Sequence, residues 1–309
     1  MEKGLIIKST GSFYSVKNSK NEIVTCKVRG KLRIKGIKST NPIAVGDIVW
    51  FDYDEKNSIG IIKNIEARKN YIIRKSINLS KQSHIIAANI DLAFLVVTLS
   101  IPETTSMFID RFLVSAEAYH IPVVILFNKM DIYQDADLER IKHYKQIYES
   151  ISYTCLEVSA ISSKNIERLQ DLMQNKTTVF VGHSGVGKSS LVKAINPNID
   201  LKISNISNVH LTGKHTTTFA EMFEWKENSY IADTPGIKAF GLIDFKKEEI
   251  SHYFPEILKA SEKCKFQNCT HSHEPNCFVK DAVQEGLISE SRYFNYLAML
   301  ENNDHEKFR

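Results

Sequence analysis

Gly182-His183-Ser184-Gly185-Val186-Gly187-Lys188-Ser189-Ser190 lies where an apolar run, Thr178 to Val181, gives way to the helical spacing of Lys188 to Ile195. A glycine-rich loop at a strand-to-helix junction constrains the fold around it. Its glycines let the backbone curl until several N–H groups face one phosphate chain, and the helix N-terminus adds a favourable dipole. Lys188 is placed to reach the β and γ phosphates and the Ser189 hydroxyl to meet Mg2+, so the loop implies a nucleotide bound with magnesium.

The chain supplies the α/β context that this loop needs. From about residue 85, fully apolar strands alternate with amphipathic helices, the pattern of a parallel sheet covered on both faces. The expected strands are Leu92 to Val97, Val123 to Phe127, Thr154 to Val158, Thr178 to Val181 and Tyr230 to Ala232. Helical periodicity marks Met107 to Ala118, Asp137 to Tyr148, Asn165 to Met173 and Lys188 to Ile195.

A phosphate loop alone does not choose the base. Asn128-Lys129-Met130-Asp131, directly after the strand ending at Phe127, supplies the choice. An ionised Asp131 accepts hydrogen bonds from the N1–H and 2-amino group of guanine, whereas adenine leaves that carboxylate unpaired, a loss of about 1–3 kcal/mol. The Lys129 stem can lie on the base, and Asn128 can tie this loop to the phosphate loop. Ser159-Ala160, after the next strand, suits a backbone N–H aimed at guanine O6. Asp233-Thr234-Pro235-Gly236 ends the last strand, where Asp233 would hold Mg2+ through water and the Gly236 N–H would sense the γ phosphate. Among Thr216, Thr217 and Thr218, in the preceding polar loop, Thr218 is the favoured third group for magnesium. Ile237 follows Gly236 where many GTPases carry a water-orienting Gln, and its side chain cannot polarise water. His215 is the nearest candidate for that task, with packing or RNA contact as its alternative role.

These elements stand in an unusual order, since Asn128 and Ser159 precede Gly182. A parallel sheet tolerates this, because strand adjacency rather than chain order builds a pocket. A circularly permuted domain is expected.

The first 70 residues read differently. Leu5 to Ile7, Phe13 to Val16, Ile23 to Val28, Ile48 to Tyr53 and Gly60 to Ile65 are short strands broken by Gly, Asn and Asp, which suggests a small barrel of the oligonucleotide-binding type. Trp50, inside the run Ile48 to Phe51, is expected to fill the core. Residues 1–80 hold 16 Lys and Arg against 7 Asp and Glu, a net of +9, while the rest of the chain carries 24 against 29. Lys27, Arg29, Lys31, Arg33, Lys35 and Lys38 recur largely at alternate positions, giving either a solvated strand face or a surface for RNA phosphates.

Near the C-terminus, Cys264, Cys269, His271 and Cys277 fall within fourteen residues, far from Cys26 and Cys155. Three thiolates and an imidazole make a closed tetrahedral set, the usual structural zinc site. His273 rivals His271 and is read as a polar loop residue. No run reaches the roughly 20 apolar residues that a spanning helix needs, and Met1 to Thr10 does not read as a signal peptide. A cytoplasmic chain with no membrane partner is expected, as a monomer.

Asn128 to Asp131, Gly182 to Ser190, the loop Gly213-Lys214-His215-Thr216-Thr217-Thr218, Asp233 to Gly236 and Cys264-x4-Cys269-x-His271-x5-Cys277 together resemble the ribosome small subunit-dependent GTPase A family of circularly permuted assembly GTPases. The resemblance covers almost the whole chain. It implies a barrel at 1–70, a permuted GTPase domain at 71–242 and a helical zinc domain at 243–309. It also implies GTP hydrolysis to GDP in late maturation of the small ribosomal subunit, with rRNA bound by the outer domains, and it points to His215 in catalysis. Lys214 departs from the family, where Arg is expected; the charge is kept, but bidentate phosphate contact is weakened.

Overall fold

The structure, a computed structural model, describes residues 1–28, 43–54, 59–75, 83–199, 220–233 and 246–305. Five strands form the N-terminal barrel: β1 (Glu2–Ser9), β2 (Tyr14–Asn18), β3 (Ile23–Val28), β4 (Ile48–Asp54) and β5 (Ile59–Ile65). They run in the order β1-β2-β3-β5-β4, and β4 pairs back onto β1 to close the ring. Alternation along each strand turns Ile6, Val16, Cys26, Val49, Phe51 and Ile62 inward. The same alternation corrects the expectation for Trp50, which lies between Val49 and Phe51 and so faces the other way. Its Nε1 donates to Glu66 Oε1 at 3.1 Å, and the Lys3 ammonium sits 5.9 Å from its ring. Of the basic run, Lys27 lies on β3, and Arg29 to Lys38 fall outside the described residues.

A hairpin of β6 (Tyr71–Lys75) and β7 (Ser83–Ala88) leads into the α/β domain. Its parallel strands are β8 (Leu92–Val97), β9 (Val123–Phe127), β10 (Thr154–Glu157), β11 (Thr177–Val181) and, beyond β12 (Ala220–Lys226), β13 (Ser229–Asp233). Their spatial order is β10-β9-β8-β11-β13. Buried on both faces, β8 and β9 carry no polar side chain, as parallel strands under helices require. The covering helices are α1 (Ser106–Ala118), α2 (Asp135–Ser150), α3 (Ile166–Met173) and α4 (Lys188–Ile195).

β12 runs antiparallel to β13 and pairs on its other side with β1, so one 11-stranded sheet continues from the α/β domain into the barrel. Two ion pairs fasten this junction, Lys8 to Glu221 at 3.0 Å and Lys17 to Glu224 at 2.6 Å.

The C-terminal unit begins with the short 3-10 helix Lys247–Tyr253 and continues through α5 (Pro255–Ser261), α6 (Phe278–Gln284) and α7 (Glu290–His305). Ile250, Phe254, Ile257, Val279, Tyr296 and Met299 form its core, and Val114 of α1 joins them. Among the described residues no helix is long and apolar enough to cross a membrane.

Candidate functional site

Loops leaving the C-terminal ends of the parallel strands carry those nucleotide-site candidates that lie among the described residues. β11 ends at Val181 and Gly182 opens the glycine loop into α4, β9 ends at Phe127 directly before Asn128, the chain after β10 runs on to Ser159, and β13 ends at Asp233. Because β9 and β11 both flank β8, the two nucleotide motifs face each other although the chain reaches them in reversed order.

Two glycines of the loop are dictated by close neighbours. Gly182 has φ +148°, and a Cβ there would sit 2.4 Å from the Val96 carbonyl oxygen of β8. Gly187 has φ +95°, and its Cβ would lie 2.4 Å from Asn128 Nδ2. That space belongs to a hydrogen bond, since Asn128 Nδ2 donates to the Val186 carbonyl at 2.8 Å. Asn128 Oδ1 is buried with no partner among the described residues. Gly187, the N-cap of α4, offers no side-chain cap, and the first turn of a helix is where backbone N–H groups and the helix dipole favour an anion. The Lys188 ammonium arches back over the loop, donating to the carbonyls of Gly182 at 2.8 Å and His183 at 2.6 Å. A triphosphate would offer it stronger acceptors in the same place. His183 lies against Phe108 of α1 with ring centroids 3.8 Å apart, and burial, followed by the Lys188 charge, lowers its imidazole pKa. Ser184 and Gly185 form the exposed tip of the loop, and Val186 is buried beneath it.

Lys129 adopts the left-handed region at φ +65° and anchors its ammonium on the Ile101 carbonyl at 2.5 Å. The Met130 N–H reaches the Val158 carbonyl at 3.3 Å, drawing together the loops that follow β9 and β10. Ser159, fully buried, contributes a contact that sequence spacing does not reveal: its hydroxyl donates to Asp131 Oδ1. That hydroxyl also accepts from the N–H groups of Ile161 at 3.2 Å and Ser162 at 3.1 Å. Ser159 therefore orients the exposed Asp131 carboxylate, and the neighbouring Ala160 lies half-buried at the same edge.

Asp233 is held above the ordinary carboxylate range by burial and then by the nearby Glu221 charge, a setting that a dication would relieve. Gly236, His215 and Thr218 fall outside the described residues.

A second constellation occupies the C-terminal unit. The ligand atoms of Cys264, Cys269, His271 and Cys277 all lie within 4.8 Å of one another. His271 Nδ1 is 3.4 Å from Cys277 Sγ and 3.7 Å from Cys264 Sγ. Burial lowers the pKa of His271, which favours the neutral imidazole that a metal needs, against the opposing charge of Glu274. His273 is exposed, with Nδ1 3.0 Å from the Ser272 hydroxyl and away from the cluster. Outer contacts fix the loop: Tyr293 OH donates to the His271 carbonyl and Tyr296 OH to the Thr270 carbonyl, each at 2.7 Å. Glu274 accepts from Thr270 N–H at 2.6 Å and Ser272 N–H at 3.1 Å. Three sulfurs, one ring nitrogen and a fixed outer shell fit a tetrahedral metal ion.

The sequence profile of the RsgA GTPase matches residues 65–243, and that of the RsgA N-terminal domain matches residues 3–62. The chain belongs to the RsgA GTPase family. The Small ribosomal subunit biogenesis GTPase RsgA of Bacteroides fragilis is 52% identical over 99% of both chains. The protein of the same description from Flavobacterium psychrophilum is 53% identical over 97% of this chain and 93% of its own. Among solved structures, YjeQ from Thermotoga maritima superposes with a TM-score of 0.81 at 35% identity, covering 97% of this chain and 98% of that one. YloQ, described as a circularly permuted GTPase, gives 0.78 at 32% identity, covering 100% and 97%. As an RsgA GTPase the chain is a GTP hydrolase with a permuted α/β domain, an N-terminal five-strand barrel and a C-terminal cysteine and histidine cluster.

Proposed function

We propose that this protein hydrolyses GTP to GDP and phosphate during late maturation of the small ribosomal subunit, with turnover raised by docking on that subunit and its rRNA. The observation that carries the nucleotide part is the bond from Asn128 to Val186, which seats the guanine-reading loop directly on the phosphate loop. Identity of 52% to a small ribosomal subunit biogenesis GTPase supports the partner.

In this reading Asp131, oriented by Ser159, accepts from the guanine N1–H and 2-amino group, Lys129 covers the base and an N–H at Ser159-Ala160 meets O6. The N–H groups of Gly182 to Ser190 and the Lys188 ammonium cradle the phosphates. Ser189, Thr218 and Asp233 would hold Mg2+, which neutralises charge on the β and γ phosphates. The Gly236 N–H senses the γ phosphate, and His215 positions the attacking water. Cys264, Cys269, His271 and Cys277 would hold one Zn2+ per chain as a structural cross-link.

The division of labour follows three units: a barrel at 1–70, the permuted GTPase domain at 71–242 and a zinc domain at 243–309. The outer two bind rRNA, the protein acts as a monomer in the cytoplasm, and no membrane is involved. Nucleotide competition for a labelled GDP tests the base assignment: GTP should compete and ATP should not, and equal competition by both would refute it.

A further inference from the structure

Helix α1 touches both the phosphate loop and the C-terminal unit. Phe108 and Asp110 stand two positions apart, about 200° around an α-helix, so they face opposite sides. On one side the Phe108 ring lies against His183 with centroids 3.8 Å apart. On the other, the fully buried Asp110 accepts from Arg292 Nη1 at 2.7 Å and Asn295 Nδ2 at 2.6 Å, both on α7, and from Tyr148 OH at 2.9 Å on α2. Arg292 is itself 1% exposed, bonded through Nε to Glu256 at 2.7 Å, with its guanidinium 4.6 Å from the Phe254 ring.

A buried arginine between two carboxylates fixes geometry more than it adds stability, because desolvation offsets much of the attraction. Its directional bonds allow one register between α7 and α1. The helix is also wedged between two cores: Ile109, Phe112 and Leu113 pack on the sheet, while Val114 packs with the C-terminal helices. A movement of α7 therefore reaches Asp110, and a rotation of α1 carries Phe108 across His183.

We infer that α1 is a relay in which Arg292 and Asn295 of the C-terminal unit, acting through Asp110, set the position of Phe108 on His183 and thereby the shape of the phosphate loop. Arg292, Asp110 and Phe108 are positioning residues for hydrolysis, and docking of the C-terminal unit on a partner has a mechanical route to the nucleotide. The catalytic half of this inference rests on the nucleotide reading given above.

The test uses the full-length protein and follows the His183 ring Cε1–H resonance by NMR, assigned with His183→Gln, beside GTP turnover and thermal unfolding. The Phe108 ring current marks that resonance; Phe108→Leu should abolish the mark and Phe108→Tyr should keep it. Arg292→Lys, which cannot hold Glu256 through both Nε and Nη2 (2.7 and 3.0 Å) while bonding Asp110, should move the same resonance and lower kcat by about threefold or more with little change in KM. Asn295→Ala removes one donor to Asp110 and serves identically where Arg292→Lys gives no folded protein. An unmoved His183 resonance with unchanged kcat, in either variant, would overturn the relay even if the melting temperature fell. Failure of the wild-type protein to bind GTP would instead overturn the nucleotide reading and the catalytic half with it, while the resonance shift needs no nucleotide.

Discussion

Asn128 and Val186, 58 positions apart in the chain, are joined by a buried side-chain hydrogen bond to the Val186 carbonyl at 2.8 Å. The bond explains why Gly187 must lack a side chain, and it ties the loop after β9 to the glycine loop after β11. Asn128→Ala should weaken GDP binding by about tenfold or more, the size expected when a buried acceptor loses its donor. Calorimetric titration measures this, and undiminished affinity would show that the loops are held by other means.

Asp131→Asn should lower guanine nucleotide affinity and raise affinity for xanthine nucleotides, because an amide donates to the 2-oxo group that a carboxylate repels. Ser159→Ala should weaken GTP binding in the same direction but less, about two- to tenfold, by freeing the Asp131 rotamer. Competition binding with GDP and XDP checks both, and an unchanged base preference in Asp131→Asn would remove Asp131 from the base site.

β8 and β9 stand with the bounds their apolar runs indicate, since a strand covered by helices has no polar face to blur it. β3 and α4, each with an exposed face, also keep the bounds expected from sequence. β12 was not legible: it carries Glu221, Glu224 and Lys226, and its carboxylates find their cations, Lys8 and Lys17, on barrel strands about two hundred residues away. Trp50 misled because an apolar run does not show which face closes a barrel. The motif loops at Asn128, Ser159 and Gly182 could be located from sequence because each closely follows an apolar strand. Asp110 and Arg292 could not, since each looks like an ordinary surface charge until α1 and α7 meet.

The metal cluster predicts about one zinc per chain in protein purified without chelator. Cys264→Ser or Cys277→Ser should lower the melting temperature of the C-terminal unit and spare GDP binding in large part, and chelation should reproduce the effect. Elemental analysis near zero would contradict the assignment.

His215→Ala should bind nucleotide normally and lose about tenfold or more of the subunit-stimulated rate, as for a lost general base or water ligand. The Ile237 side chain offers no polar atom for that task. Stimulated turnover equal to wild type would take His215 out of the mechanism.

A GTPase without a built-in water-positioning Gln should be slow when free, because phosphoryl transfer depends on positioning and charge stabilisation. The basic residues of the N-terminal region should make docking on rRNA weaken steeply with salt. Charge reversal at Arg29, Lys31 and Arg33 should raise the subunit concentration needed for stimulation and leave basal hydrolysis unaltered. The most direct measurement is GTP turnover titrated with purified small ribosomal subunits, with large subunits as the control. The account predicts a saturable rise with small subunits alone, and equal rates with and without them would contradict it.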